Sequence, residues 1–468
     1  MNRKRIYLCL AHMSDAGLEQ KYIQEAFDTN WVVPLGPNVN GFEADLETFV
    51  NKTKVVEPVE TPTDKASNPD EPALRRAQGV GLDKKVVALS AGTAAVHLAL
   101  LACGVGPGDE VVVQSFTFCA SSHPITYLGA TPVFVDSEKD SWNMDPDLLE
   151  MAIKDRIAKT GKKPKAIVPV ALYGMPYDTD RIMEIAERYD IPVIEDAAEG
   201  FGSRWKGQVL GTFGRYGVLS FNGNKMITTS GGGALVCPDM EAKNKIMWYA
   251  TQAREAYPYY QHEAIGYNYR MSNICAGIGR GQMTVVDDHI RHHKHVYELY
   301  KELLKDVPGI AVHGNPDKRY DSNFWLNTIT IDPCVRVKGQ ENAYKTVVQG
   351  AVGGAAGVVH ASDSAHTDCE PNDNVEALRV WLDERAIEAR PLWKPMHKQP
   401  VYRGVESLEF RVESLPNGIV RQTSDKSVAY INGVSESLFK VGMCLPSGPY
   451  VTDEDVRYIV DCIKEAIE

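Results

Sequence analysis

The sequence predicts an α/β protein: a large domain on a mostly parallel sheet, then a smaller α+β domain. Three observations carry that expectation. At 468 residues the chain is long for one core. From about residue 84, short runs rich in β-branched residues and apolar on both faces alternate with amphipathic stretches. Such runs, spaced by helices, indicate a parallel sheet covered on two sides. From about residue 307 the alternation gives way to a mixture of strands and helices.

The elements follow in order. Val86 to Leu89 reads as a strand and Thr93 to Cys103 as a helix. Glu110 to Gln114, Pro132 to Val135, Ala166 to Val170 and Pro192 to Glu195 read as further strands, with helical patterns such as Asp178 to Tyr189 between them. Ser272 to Lys305 is one long helix or a broken pair. Beyond it come a strand at Trp325 to Ile331 and helices at Asn374 to Arg385 and Thr452 to Ile467. The expected division is residues 1–306 for an N-terminal segment and the large domain, and 307–468 for the small one. Two polar, turn-rich stretches read as surface insertions, Lys54 to Gly81 and Arg336 to Asp373.

Composition bounds the function. The chain is 44% hydrophobic and 24% charged, enough to bury a sizeable core. Its net charge of −12, without basic clusters among aromatics, argues against nucleic acid as a partner. Nine scattered cysteines with no Cys-x-x-Cys pair argue against disulfides or a zinc site, so no metal is expected and a reduced cytoplasm is. The apolar run after Met1-Asn2-Arg3-Lys4-Arg5 is too short for a signal peptide, and no stretch is long enough to span a bilayer. A soluble cytoplasmic protein is the expectation.

The chemistry centres on Lys225. It follows the apolar run ending at Leu219-Ser220-Phe221 and precedes the small residues Gly231-Gly232-Gly233. Upstream, the strand Ile191-Pro192-Val193-Ile194 delivers Glu195-Asp196-Ala197-Ala198-Glu199 at its carboxyl end. A lysine able to form an imine and an acid able to hold a protonated ring nitrogen are the two demands of pyridoxal phosphate chemistry. Ser90-Ala91-Gly92-Thr93 joins a strand to a helix, so backbone amides there could cradle a phosphate; taken alone, it is a plain turn with Thr93 as N-cap. Phe118 could lie flat on a ring or simply pack in the core. Ser220 could donate to the phosphate, and Gly231 to Gly233 could admit close backbone approach or form a turn. Asn268 and Arg270 are polar groups at a loop tip, or a cap and a solvated arginine.

Taken together, these motifs resemble the sugar aminotransferases of the DegT/DnrJ/EryC1/StrS family. The matching stretches are Ser-Ala-Gly-Thr-Ala-Ala (90–95), Glu-Asp-Ala-Ala-Glu (195–199), Gly-Thr-Phe-Gly (211–214) and Ser-Phe-Asn-Gly-Asn-Lys (220–225). Gly-Tyr-Asn-Tyr-Arg-Met-Ser (266–272), the stretch from Ala389 to His397, and Cys-Leu-Pro-Ser-Gly (444–448) complete the set. The resemblance implies fold type I of the pyridoxal phosphate enzymes, with a sheet of the seven-stranded type, working as a homodimer with sites at the interface. It implies Lys225 as the imine-forming catalytic lysine, Asp196 on the ring nitrogen and Phe118 stacked on the ring. Gly92, Thr93 and Ser220 would hold the phosphate, joined by Asn268 of the neighbouring subunit. Glu199 stands near the cofactor where many relatives carry Gln. Arg270, Trp393, Lys394 and His397 match positions near substrate.

Ala11-His12-Met13-Ser14 and the stretch from Asn30 to Glu43 resemble the bacillosamine-type 4-aminotransferases. That resemblance implies glutamate as amino donor and a UDP-2-acetamido-4-keto-2,6-dideoxyhexose as acceptor, in a ping-pong cycle feeding surface polysaccharide or glycan synthesis. A sugar dehydratase of the same fold is the alternative enzyme; the relatives of that kind replace the lysine with histidine. Other nucleotide keto sugars, and a non-catalytic regulatory protein on this scaffold, are the remaining alternatives.

Overall fold

The computed structural model describes residues 4–52, 82–344, 369–403 and 411–467. The Lys54 to Gly81 stretch lies outside the described residues, as does 345–368 within the second insertion.

Seven strands build the large sheet: β1 Lys85–Leu89, β2 Glu110–Gln114, β3 Thr131–Val135, β4 Ala166–Val168, β5 Ile194–Asp196, β6 Tyr216–Ser220 and β7 Gly233–Cys237. Their spatial order is β3-β2-β4-β5-β6-β7-β1. All run parallel except β7, which is antiparallel to both β6 and β1. Between β4 and β5 the ladder narrows to two parallel bridges, Ile167 with Val193 and Val170 with Asp196. Both faces are covered, which is why strands such as Glu-Val-Val-Val-Gln are buried nearly end to end. Valines 87, 111 and 113 pack with the helix Gly92–Ala102, while Val112, Val133 and Val135 face a second cluster under Pro146–Thr160 and Thr179–Arg188.

The sheet does not stop at seven strands. Val428–Ile431 runs parallel to β3, and Val420–Thr423 and Arg411–Ser414 add antiparallel strands outside it. A segment late in the chain thus covers what would be an open edge at β3.

The second sheet is antiparallel: Ile310–Val312, Asn327–Ile331, Gly442–Leu445 and Arg390–Pro391. Helices Val286–Leu304, Asp373–Glu384 and Asp453–Ala466 bury Val296, Tyr300, Leu378, Ile459 and Ile463 against its Ile329, Ile331, Met443 and Leu445. The helical stretch that begins at Ser272 is a broken pair, Asn273–Met283 and Val286–Leu304. The strand expected from Trp325 starts only at Asn327. Phe324 adopts φ 51°, and the Asn323 carboxamide accepts a 2.8 Å hydrogen bond from the Trp325 amide, so the chain turns there.

His293, fully buried on the helix Val286–Leu304, ties that turn down: its Nδ1 donates to the Phe324 carbonyl at 3.1 Å. Burial, aided by nearby His292, lowers its pKa from 6.5 to about 3. The folded value is depressed, so the stabilisation is present above the unfolded value of 6.5 and is lost as pH falls towards 3. Its slope is at most one proton, about 1.4 kcal/mol per pH unit. His293→Gln is expected to lower the urea midpoint at neutral pH and to flatten its decline in acid by up to that slope. Parallel acid limbs in the two proteins would contradict this account.

Candidate functional site

The carboxyl ends of β1, β2, β4, β5 and β6 and the amino end of β7 converge on a cavity of about 260 Å³. Open α/β sheets bind ligands there because the loops leaving adjacent strands diverge.

β1 passes through Ser90 and Ala91 into the helix Gly92–Ala102. Ala91 occupies the N-cap in extended conformation, and no side chain caps the helix. Its first turn, with Gly92 and Thr93, lines the cavity and offers amides to an anion. Two glycines permit this packing. A Cβ on Gly233 would stand 2.4 Å from the Gly92 nitrogen, and one on Gly92 would stand 3.1 Å from the Ser220 Cβ. Ser220, the last residue of β6, therefore sits against the helix start.

Asp196 ends β5 and is 4% exposed. Its Oδ2 accepts from Ser121 Oγ at 2.6 Å and its Oδ1 from the Ala198 amide at 3.1 Å. Ser121 in turn bonds Thr117 Oγ1 at 2.8 Å. Burial pushes the carboxyl pKa up, and the hydrogen bond from Ser121 opposes that. Among the described residues no basic nitrogen lies within 4 Å of this carboxylate. A buried carboxylate held by two neutral donors is short of one positive charge.

Lys225 reaches the same cavity with its side chain 13% exposed. Its Nζ lies 3.5 Å from Glu199 Oε1 and 4.0 Å from the centre of the Trp325 ring. Glu199 is buried; its Oε2 accepts from the Tyr173 amide at 2.7 Å and its Oε1 from Trp393 Nε1 at 3.4 Å. Burial raises the Glu199 pKa, and the Lys225 charge draws it back. Phe118 is exposed at the cavity wall, with its ring 6.5 Å from that of Trp393.

The structure thus brings together Gly92, Thr93, Phe118, Asp196, Glu199, Ser220, Lys225 and Trp393. It places the other four candidates elsewhere. Asn268 is exposed beside the Thr251 bridge. Arg270 donates to Glu43 at 2.6 Å and to the Ala88 carbonyl at 3.0 Å, and both side chains of that pair are buried. His397 is buried, with Nδ1 2.7 Å from Ser115 Oγ, where it ties the 390s segment to the end of β2. Lys394 is half-buried and does not line the cavity.

Sequence reasoning missed Trp325, Tyr173 and Ser121 as parts of the site. Trp325 arrives from a turn 100 residues beyond Lys225, with its Nε1 donating to the Asn224 carbonyl at 2.7 Å. Nothing local in the sequence marks it. Ser121 had a signal: it lies within the strand-to-loop stretch that also carries Phe118.

The donor set fits pyridoxal phosphate. An uncapped helix start floored by a glycine suits a phosphate, Asp196 lacks the charge that a protonated ring nitrogen carries, and a lysine amine lines the same cavity.

Comparison with known proteins agrees. A family profile described as the DegT/DnrJ/EryC1/StrS aminotransferase family matches residues 74–352. The chain is 38% identical over 465 residues to the Bacillus subtilis (strain 168) protein EpsN, named for a pyridoxal phosphate-dependent aminotransferase activity, spanning 98% of this chain and 95% of EpsN. It is 31% identical over 459 residues to the GDP-perosamine synthase of Escherichia coli O157:H7, spanning 98% of each. The crystal structure of a DegT DnrJ EryC1 StrS aminotransferase from Brucella abortus superposes with a TM-score of 0.71, covering 96% of this chain and 95% of that one at 24% identity.

The approach of Gly233 to the helix start yields a direct check. Gly233→Ala forces a Cβ against the Ser90–Gly92 turn and is expected to cost about 1–3 kcal/mol of stability, as overpacking does. Thermal denaturation measures it; an unchanged melting temperature would show that the turn yields freely.

Proposed function

The chain belongs to the DegT/DnrJ/EryC1/StrS aminotransferase family, and on that premise we propose that it carries an amino group from glutamate to C4 of a UDP-2-acetamido-4-keto-2,6-dideoxyhexose. Pyridoxal 5'-phosphate is its cofactor. The observation that carries this proposal is the meeting of Lys225, Asp196 and the Gly92 helix start in one cavity.

Bound pyridoxal phosphate supplies a carbonyl that captures amines and an electron-poor ring that accepts charge from an adjacent carbon. The residues do the rest. Gly92 and Thr93 hold the phosphate through first-turn amides and the Thr93 hydroxyl, with Ser220 beside them. Asp196 keeps the ring nitrogen protonated, and its orientation is set by Ser121 and the Ala198 amide. Phe118 would lie against the ring. Lys225 would hold the cofactor through its amine, and the same amine, when free, would carry a proton to and from the substrate carbon. Trp393, on the Phe118 side of the cavity, packs against the sugar.

Lys225 is the only cation lining the cavity among the described residues, although the cofactor phosphate and a glutamate carboxylate both need positive or donor groups. This supports a homodimer in which a second copy completes the site, with Asn268 reaching across. The exposed side chains Trp31, Val32, Leu35, Tyr259, Tyr260 and Ile265 suit such an interface. Arg270 and His397 act on substrate, on this account, only through the segments they brace. No described helix is long and apolar enough to cross a membrane.

The similarity to a GDP-perosamine synthase supports a second acceptor, a GDP-linked keto sugar. Purified protein given glutamate with either the UDP- or the GDP-linked 4-keto sugar decides between them, with 2-oxoglutarate release and the product's C4 proton couplings as readouts. Turnover with the UDP sugar is expected, and turnover with the GDP sugar alone would replace that acceptor. Lys225→Ala is expected to reduce turnover below detection; retained turnover would overturn the assignment of Lys225.

A further inference from the structure

Glu199 is held more firmly than an incidental neighbour of Lys225 needs to be. Its Oε2 is pinned by the Tyr173 amide, which points inward because Tyr173 adopts φ 54°, a left-handed conformation uncommon for a bulky residue. Gly174 follows at φ 95°, where a Cβ would meet Asn323 Oδ1 at 1.9 Å. Asn323 Nδ2 donates to the carbonyls of Glu199 and Phe201, each at 2.9 Å. The Trp393 amide donates to Tyr173 Oη at 2.7 Å, closing the frame on the far side. What remains free to turn is limited to Oε1, which faces Lys225 and Trp393 Nε1.

We propose that Glu199 is the counter-ion that holds the proton on Lys225 Nζ and receives it when Lys225 acts as a base. The proposal rests on the reading of Lys225 as the cofactor lysine. Among the described residues, Glu199 is the one carboxylate within 4 Å of Nζ. The face of Trp325 at 4.0 Å adds to the preference for a cation. The other groups facing this pair are Asp196 and Cys9 towards Lys225, and Asp196, Tyr173 and Cys444 towards Glu199. Burial pushes the Cys9 thiol up to about 12 and the Tyr173 hydroxyl and Cys444 thiol well above their ordinary values, so all three stay neutral. Asp196 spends its oxygens on Ser121 and Ala198. Control of the Nζ proton therefore falls to Glu199. The step is a proton transfer alone: the Nζ–H bond breaks, its electron pair stays on nitrogen, and the proton passes to Oε1 or water.

Glu199→Gln keeps the shape and removes the charge. In the full chain before cofactor is added, labelling of Lys225 by trinitrobenzenesulfonate, read by peptide mass spectrometry against pH, should set in at lower pH than in the wild type, as loss of a close opposite charge requires. Glu199→Asp should restore part of the shift. The visible absorbance of the chain loaded with pyridoxal phosphate is recorded alongside. Coincident labelling profiles for wild type and Glu199→Gln would overturn the proposal, whatever the melting temperatures do, since a purely structural role moves stability and not the midpoint. Absence of any cofactor absorbance would instead strike the functional reading, and the labelling profiles would still decide the role of Glu199.

Discussion

Charge balance in the cavity at the strand ends is the constraint on which the rest of this structure depends. Two buried carboxyl groups, Asp196 and Glu199, share it with one lysine. Burying an ionised carboxylate without compensation costs several kcal/mol even after the surroundings relax. Glu199 has Lys225 beside it at 3.5 Å, whereas Asp196 has a hydroxyl, an amide and the more distant charge of that same lysine. The protein on its own therefore carries an unmatched acid at the end of its central strand. On the proposed reading a protonated heterocycle would resolve that imbalance, and the same acid would keep the heterocycle electron-poor. The residue that is costly without a ligand would then be the residue that activates it.

The fold sustains this arrangement by taking its functional groups from strand ends rather than from long loops. Ser90 to Thr93, Phe118, Asp196, Ser220 and Lys225 leave β1, β2, β5 and β6 within a few residues of the sheet. The reversal of β7 brings Gly233 to that same edge, where the absence of a Cβ lets the backbone press on the Gly92 turn. Trp325 and Trp393, beside strands of the second sheet, also line the cavity, each anchored by a hydrogen bond to the segments around the large sheet: Trp325 Nε1 to Asn224, and the Trp393 amide to Tyr173.

Much of this was legible in the sequence, for physical reasons that can be named. Strands β2, β3 and β5 stand out because burial on both faces demands continuous apolar runs, and the acid at 196 stands out because it interrupts one. Lys225 and Gly231 to Gly233 are local in sequence and in space. Other features depend on long-range packing that leaves no local trace. The hairpin Arg411 to Thr423 carries no strong apolar pattern because it joins the sheet at its margin, where most of its side chains stay exposed or half-exposed and only Ile419 and Arg421 are buried. Trp325 looks like the start of a strand, and it is turned away by the left-handed Phe324, the Asn323 side chain and the contact of Phe324 with His293. Arg270 has the look of a substrate-binding arginine, yet it satisfies buried Glu43, which itself accepts from the Ala88 amide and braces β1. A charged residue in a matching motif does not announce whether its partner is a ligand or another side chain.

The most direct test of this account is to locate the bond between protein and cofactor. Full-length protein loaded with pyridoxal phosphate, reduced with borohydride, digested and sequenced by mass spectrometry should carry the pyridoxyl group on the peptide containing Lys225 and on no other, and Asp196→Asn should weaken loading without moving the label. A label on another lysine, or none on a folded protein saturated with cofactor, would contradict the assignment of this cavity as the catalytic centre.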